Sequence, residues 1–330
     1  MTEQSKINRK GSKRTSLFER ADQMFGLDNM GPAAVPTNLP DVEPRVPRAV
    51  RDATEVSQRH AVPTEPVMPE PAQTAAPQPA VKPQERKVVL SGPHQKVDRE
   101  ILREEGLIVP EDQVTGLLEE FRIVKRELLA DARASSDAAA RRILVCSPLP
   151  GEGKTYCAIN LAIALAAERD VEVVLVDADV LNPSVARRLG IDAGKGLMDT
   201  LVDDNAHPER LAIGTDIDGL FVLPAGSSSA RDAEYLASAR TGEVLDRLTR
   251  GAPNRFVIFD TPPALAASPA AELAAHVGQA LLVVRADETS RAALEDAQQL
   301  LSACPDIKLL LNATRFSPSG RQFGDYGERE

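Results

Sequence analysis

The run Ser147-Pro148-Leu149-Pro150-Gly151-Glu152-Gly153-Lys154-Thr155 has the composition of a loop built to hold an anion. Gly151 and Gly153 permit backbone conformations that turn successive N–H groups inward, making an anion nest. The run leads straight into a helical stretch, Thr155–Ala167, whose first turn adds the positive end of its dipole. In such a cradle Lys154 reaches the β- and γ-phosphates of a nucleotide, and the Thr155 hydroxyl ligates Mg2+. A Gly-Lys-Ser/Thr triplet alone arises by chance in about one chain in six of this length, so specificity rests on context. The required strand before the loop (Ile143–Cys146) and helix after it are both present. The nucleotide-binding run is therefore Pro150, Gly151, Glu152, Gly153, Lys154, Thr155 and Tyr156, with the Tyr156 ring packed on the helix.

Two further apolar runs end in carboxylates. Leu175-Val176 leads into Asp177-Ala178-Asp179, and carboxylates two apart on an extended chain project from the same side. If this strand neighbours the loop-bearing strand, both face the metal and the γ-phosphate. Phe256-Val257-Ile258-Phe259 leads into Asp260-Thr261-Pro262-Pro263, the pattern of a strand delivering a carboxylate to the metal shell. Each motif stands at the carboxyl end of a strand, and their order is consistent.

The elements that must position these groups are short apolar runs alternating with helical stretches. Ile143–Cys146, Val173–Val176, Phe221–Leu223, Phe256–Phe259, Leu281–Val284 and Leu309–Leu311 read as buried strands. Ala233–Leu248 and Arg291–Leu301 read as helices, like Thr155–Ala167. Continuous rather than alternating apolar strands separated by helices indicate an α/β fold, a mainly parallel sheet with helices on both faces. In such sheets ligands sit beyond the carboxyl ends of the strands.

Composition divides the rest. Residues 1–30 form a basic segment, with Lys6, Arg9, Lys10, Lys13, Arg14 and Arg20 followed by a short amphipathic helix carrying Leu17, Ala21, Met24 and Phe25 on one face. Residues 1–27 suit either a solvated tail or a dock onto a partner protein or an anionic membrane surface, each basic residue contributing on the order of 1 kcal/mol at such a surface. Residues 31–97, rich in Pro, Ala, Gln, Val and Glu, read as a disordered linker; residues 98–330 carry the folded domain. The net charge of −10 argues against general nucleic-acid binding. Cys146, Cys157 and Cys304 form no C-x-x-C pair and read as buried, reduced residues of a cytoplasmic chain. No stretch has the roughly 18 apolar residues of a membrane span.

The set of P-loop, Asp-x-Asp and Asp-Thr-Pro-Pro resembles the bacterial tyrosine kinases of capsule and exopolysaccharide loci, in the larger class of MinD- and ParA-type P-loop ATPases. It is similar in particular to the soluble autokinase of exosortase-linked polysaccharide clusters. The resemblance covers residues 119–312. It implies ATP and Mg2+ as cofactors, with Lys154, Asp177, Asp179 and Asp260 as catalytic residues. Asp179 is favoured over Asp177 for orienting or deprotonating the attacking hydroxyl, and the metal is assigned to Thr155, Asp179 and Asp260. Asn312 is placed like the residue that reads adenine. Glu119, Arg122 and Lys125 lie in a helix similar to the family's Glu-x-x-Arg-x-x-Arg helix, which joins subunits into a homo-oligomeric ring. The implied activity is tyrosine autophosphorylation regulating polysaccharide synthesis or export, with a membrane polysaccharide co-polymerase as activator and the chain at the inner face of the plasma membrane. The alternative is a non-kinase ATPase switch. Leu181 stands where the family's Asp-x-Asp motif continues to Arg, Lys125 replaces an Arg, and the C-terminal tail offers Tyr326 alone as phosphate acceptor.

Overall fold

Apolar runs become strands here because both of their faces find cover. In the computed structural model, which describes residues 87–314, alternate residues of one strand feed two separate cores. Ile143 and Val145 enter one, and Leu144 and Cys146 enter the other. Burial on both faces removes the selection for polar alternation.

In chain order the elements are β1 (His94–Gln95), α1 (Arg99–Glu104), α2 (Gly116–Ala134), a short 3-10 turn (Ala138–Arg141) and β2 (Arg142–Cys146). Next come α3 (Lys154–Ala166), β3 (Glu172–Asp177), α4 (Val185–Leu189), α5 (Leu197–Val202) and α6 (Pro208–Leu211). β4 (Ile213–Thr215), β5 (Leu220–Leu223), α7 (Asp232–Leu236), α8 (Ala239–Thr249) and β6 (Arg255–Asp260) follow. The last are α9 (Pro269–Ala274), β7 (Gln279–Arg285), α10 (Arg291–Leu300) and β8 (Ile307–Asn312). The strands form one sheet in the order β1-β4-β5-β3-β6-β2-β7-β8. Every neighbouring pair is parallel except β4 with β5. This is the mainly parallel, two-faced α/β sheet expected of a P-loop nucleotide-binding fold.

α3 is buried at every position except Lys154 and Tyr156, because α2 covers the side turned away from the sheet. Lys125 of α2 closes the far end of α3: its Nζ donates to the Ala164 carbonyl at 2.9 Å and pairs with Glu168 at 2.7 Å. A cation at a helix C-terminus satisfies the last carbonyls and opposes the dipole's negative end.

Three differences from the sequence reading have local causes. The stretch Ala233–Leu248 is two helices, because Ser238 adopts an extended conformation and its hydroxyl donates to the Tyr235 carbonyl. The strands β1 and β4 formed no apolar run. Residues 87–97, read as the end of the linker, belong to the folded unit. Val97 is fully buried, Pro93 accepts from Gly214 at 2.8 Å, and the buried Arg255 guanidinium donates to the Val88 carbonyl at 2.8 Å. The basic segment, the rest of the linker and Tyr326 lie outside the described residues. Among those described, no helix is long and apolar enough to cross a membrane. The three cysteines are free and buried; burial pushes the Cys146 thiol up to about 11 and the Cys157 thiol up to about 12.

Candidate active site

The loop between β2 and α3 takes its shape from its two glycines and from neighbours that brace it. Gly151 and Gly153 have φ of 82° and 95°, the left-handed region that side chains disfavour. A Cβ on Gly153 would also lie 2.1 Å from Asn312 Nδ2. That amide, on the last residue of β8, donates to the Glu152 carbonyl at 2.8 Å. The buried Glu152 carboxylate accepts from the Leu149 N–H at 2.7 Å and from the Thr289 hydroxyl. Thr289 in turn accepts from the Arg285 N–H at 2.8 Å. On the other side Ala264 and Leu265 donate to the Ser147 and Pro148 carbonyls at 2.8 and 3.2 Å. Lys154 and Thr155 open α3, where backbone N–H groups have no intrahelical partner. The cradle is held from outside, with the helix N-terminus as its floor.

The carboxylates converge on it. β6 lies between β2 and β3, with Asp260 level with Val145 on one side and Asp177 on the other. The Asp-x-Asp strand is thus one place removed from the loop-bearing strand, and β6 fills the gap. Lys154 Nζ lies 2.7 Å from Asp179 Oδ2, 4.0 Å from Asp260 Oδ1 and 3.4 Å from Thr155 Oγ1. Burial works to lower the Lys154 pKa, but Asp260, Asp179 and Asp177 outweigh it and hold it above the ordinary value. The lysine stays a cation.

The two carboxylates of the Asp-x-Asp motif do different work. Asp177 faces back into the fold: one oxygen accepts from the Asp179 N–H at 3.2 Å, the other from Ser184 and Val185 at 2.9 and 3.0 Å. It holds the entry to α4. Burial pushes it up to about 6, against those hydrogen bonds. The expectation that both aspartates point to the phosphates therefore fails for Asp177, because the turn at Asn182-Pro183 brings backbone donors onto it. Asp179, beyond the end of β3, carries the contact with Lys154.

Asp260 is fully buried, and neither of its oxygens has a hydrogen-bond partner. Burial pushes its pKa up to about 7; the Lys154 charge pulls against this, and the Asp177 charge adds to it. An orphaned carboxylate beside a threonine hydroxyl fits Mg2+, a hard cation held by one or two protein oxygens, phosphates and water. Among the described residues no cluster of three or more acidic, His or Cys side chains forms an all-protein metal cage. The donor set suits a metal carried in with phosphate.

Other expected site residues lie elsewhere. Tyr156 is half-buried on α3 and its hydroxyl donates to the Gly106 carbonyl at 2.9 Å, tying the segment after α1 to the helix rather than facing the loop. Glu119 and Arg122 pair with each other on α2. Lys125, expected at a subunit contact, is buried within its own chain, where it donates to the Ala164 carbonyl and pairs with Glu168. Sequence reasoning missed the bracing role of the Glu152 side chain and its partner Thr289. Nothing local signals that pair, since they are 137 positions apart.

Residues 140–314 match the AAA domain family model. The EpsB protein of Ralstonia solanacearum, a tyrosine-protein kinase by name, is 32% identical over 198 residues, 59% of this chain and 26% of EpsB. The tyrosine-protein kinase YwqD of Bacillus subtilis is 28% identical over 214 residues, 64% of this chain and 87% of YwqD. The chain thus spans about a quarter of the first curated relatives it matches and most of the shorter YwqD. Among solved structures, the kinase domain of the Escherichia coli tyrosine kinase ETK shares the fold. Its TM-score is 0.53 at 18% identity, covering 70% of this chain and 93% of that domain.

Proposed function

We propose that this chain, which belongs to the AAA domain family, is a Mg-ATP-dependent protein-tyrosine autokinase regulating capsule or exopolysaccharide synthesis or export. The observation that carries the reading is the charge cluster at three adjacent strand ends. Lys154 is 2.7 Å from Asp179 and 4.0 Å from Asp260, over a glycine-lined loop. The naming of relatives as tyrosine-protein kinases supports it.

Phosphoryl transfer demands mostly positioning and charge neutralisation. Thr155 and Asp260 would hold Mg2+, which supplies charge neutralisation at the β- and γ-phosphates. Lys154 exchanges Asp179 for phosphate oxygens, and that exchange releases the Asp179 carboxylate as a base. Asp179 then takes the proton of the acceptor phenol while the phenolic oxygen bonds to the γ-phosphorus. The bond from that phosphorus to the β–γ bridging oxygen breaks, and ADP leaves. Asp177 does not touch the reacting atoms; it positions the Asp179 turn through α4. Asn312, whose amide grips the Glu152 carbonyl, would read the base of the nucleotide.

Tyr326 is the acceptor in this reading, modified by a neighbouring copy in a homo-oligomer. A membrane polysaccharide co-polymerase would be the activator, with residues 1–27 bringing the chain to the anionic inner face of the plasma membrane. The test is incubation of the purified chain with γ-labelled ATP and Mg2+, beside Lys154→Ala and Tyr326→Phe. Phosphotyrosine in the parent, absent from both variants, is expected. Hydrolysis without phosphotyrosine would replace the kinase with an ATPase switch.

A further inference from the structure

The amino ends of β2, β6 and β3 carry a second concentration of charge, at the edge of the sheet opposite the phosphate loop. Arg141 stands immediately before β2, Asp170 and Val171 before β3, and Pro253 shortly before β6. With Arg133 from the last turn of α2 and Arg169 just beyond α3, they line one cavity of about 430 Å³. The lengths of these strands put it roughly 16 to 20 Å from the carboxylates at their other ends.

Other arginines at this edge are well partnered. Arg142 donates to the His276 carbonyl at 3.2 Å, to the Thr249 hydroxyl at 3.1 Å and to Asp246. Arg255 meets Glu172 at 2.9 Å and donates to the Leu248 and Val88 carbonyls at 2.9 and 2.8 Å. Arg133, Arg141 and Arg169 differ: among the described residues, none of them has a side-chain hydrogen bond or an ion pair. The Arg141 Nε is buried with no acceptor, although buried donors are almost always satisfied. Burial and the neighbouring Arg142 charge hold Arg141 below the ordinary arginine pKa, with Asp137 pulling the other way; a guanidinium stays charged all the same. Asp170 is the one carboxylate among the described residues lining the cavity, and it pairs with none of the three. Arg133 and Arg169 also lie near the carboxyl ends of α2 and α3, where a cation opposes the helix dipole. That role needs neither a shared cavity nor Arg141, which belongs to neither helix.

A guanidinium fork matches the oxygens of a phosphate, and three cations against one carboxylate suit a doubly charged anion. Val171, Pro253 and Phe256 give the same cavity an apolar wall. We propose that this cavity binds a soluble phosphate monoester, its dianionic head on Arg133, Arg141 and Arg169 and its carbon body against that wall. The site is separate from the nucleotide site and stands whether or not the chain is a kinase.

Titration calorimetry of n-butyl phosphate into the full chain tests it, with Mg-AMPPNP present to fill the phosphate loop. Binding is expected in the parent and, undiminished, in Lys154→Ala. Arg141→Gln and Arg169→Gln each weaken it roughly tenfold or more, the scale of losing a charge-assisted hydrogen bond. Arg187→Gln, which removes an exposed charge from α4, leaves it within about twofold. Asp170→Asn tightens it by taking away the opposing charge, and asparagine tolerates the φ of 63° found there. Butanesulfonate, the same body with one charge fewer, binds more weakly. No binding in the parent overturns the proposal, and so does binding lost in Lys154→Ala, which would put the probe in the phosphate loop. Equal weakening by Arg187→Gln and Arg141→Gln overturns it as a general charge effect. Cosedimentation with phosphatidic acid vesicles while n-butyl phosphate stays unbound also overturns it, since the edge would then be a membrane contact.

Discussion

Asp260→Asn separates what the buried carboxylate costs the fold from what it does at the site. In the parent, burial lifts the Asp260 pKa from an ordinary 3.8 to about 7, against the pull of the Lys154 charge. A raised carboxylate contributes its full stability below pH 3.8 and loses it as pH rises through 7, because the folded chain then gives up a proton it prefers to keep. The whole rise corresponds to roughly 4 kcal/mol, of which about 3 kcal/mol falls between pH 5 and pH 8. Asparagine cannot titrate, and the constant cost of its buried amide cancels when two pH values are compared in one protein. The assay is thermal or urea unfolding of both proteins at pH 5 and 8, with EDTA present. Asp177, pushed up to about 6, titrates in both proteins, and because its charge acts on Asp260 the difference between the curves reports the coupled pair. The parent should lose about 3 kcal/mol more than Asp260→Asn across this window, roughly 5 to 10 °C in Tm for a domain of this size. Parallel curves would refute the assignment of a buried carboxylate with a raised pKa at position 260.

The remaining predictions probe how the cradle is held. Gly153→Ala forces a side chain into positive φ and against Asn312 Nδ2; nucleotide affinity by titration calorimetry should fall at least tenfold while far-UV dichroism is unchanged. Thr289→Val removes a donor from Glu152 and should weaken nucleotide binding several-fold, with Tm little altered. Lys125→Ala should destabilise the chain by about 1 to 3 kcal/mol in urea unfolding, and leave nucleotide affinity within twofold. A change of oligomeric state in Lys125→Ala without loss of stability would instead restore Lys125 to a subunit contact.

How much of this was readable in the sequence follows the range of the interactions. The six longer strands and α3 were legible because apolar runs and a glycine-rich loop are local signals. β1 and β4, of two and three residues, exist only through pairing with strands distant in sequence. The folding of residues 87–97 depends on Arg255, 167 positions from Val88; composition registers prolines and misses the guanidinium. Two-residue periodicity placed Asp177 and Asp179 on one side, which holds only while the chain stays extended. Beyond Asp177 it turns, and the N–H groups of Ser184 and Val185 capture that carboxylate. The intrachain partners of Lys125 were hidden for a similar reason: Ala164 and Glu168 come from α3 and the residues just after it, against which α2 packs. Lys154, Asp179 and Asp260 were legible because each sits at the carboxyl end of its strand or the loop following it, where a parallel sheet collects its chemistry.

The central claim is that the loop of residues 147–155 and the carboxylate cluster form one Mg-ATP site through Lys154. Titration calorimetry of Mg-ATP into the purified chain and into Lys154→Ala tests it most directly. The account predicts binding to the parent and at least a tenfold weaker affinity in a variant whose unfolding curve shows it still folded. Equal affinities for the two proteins would contradict it.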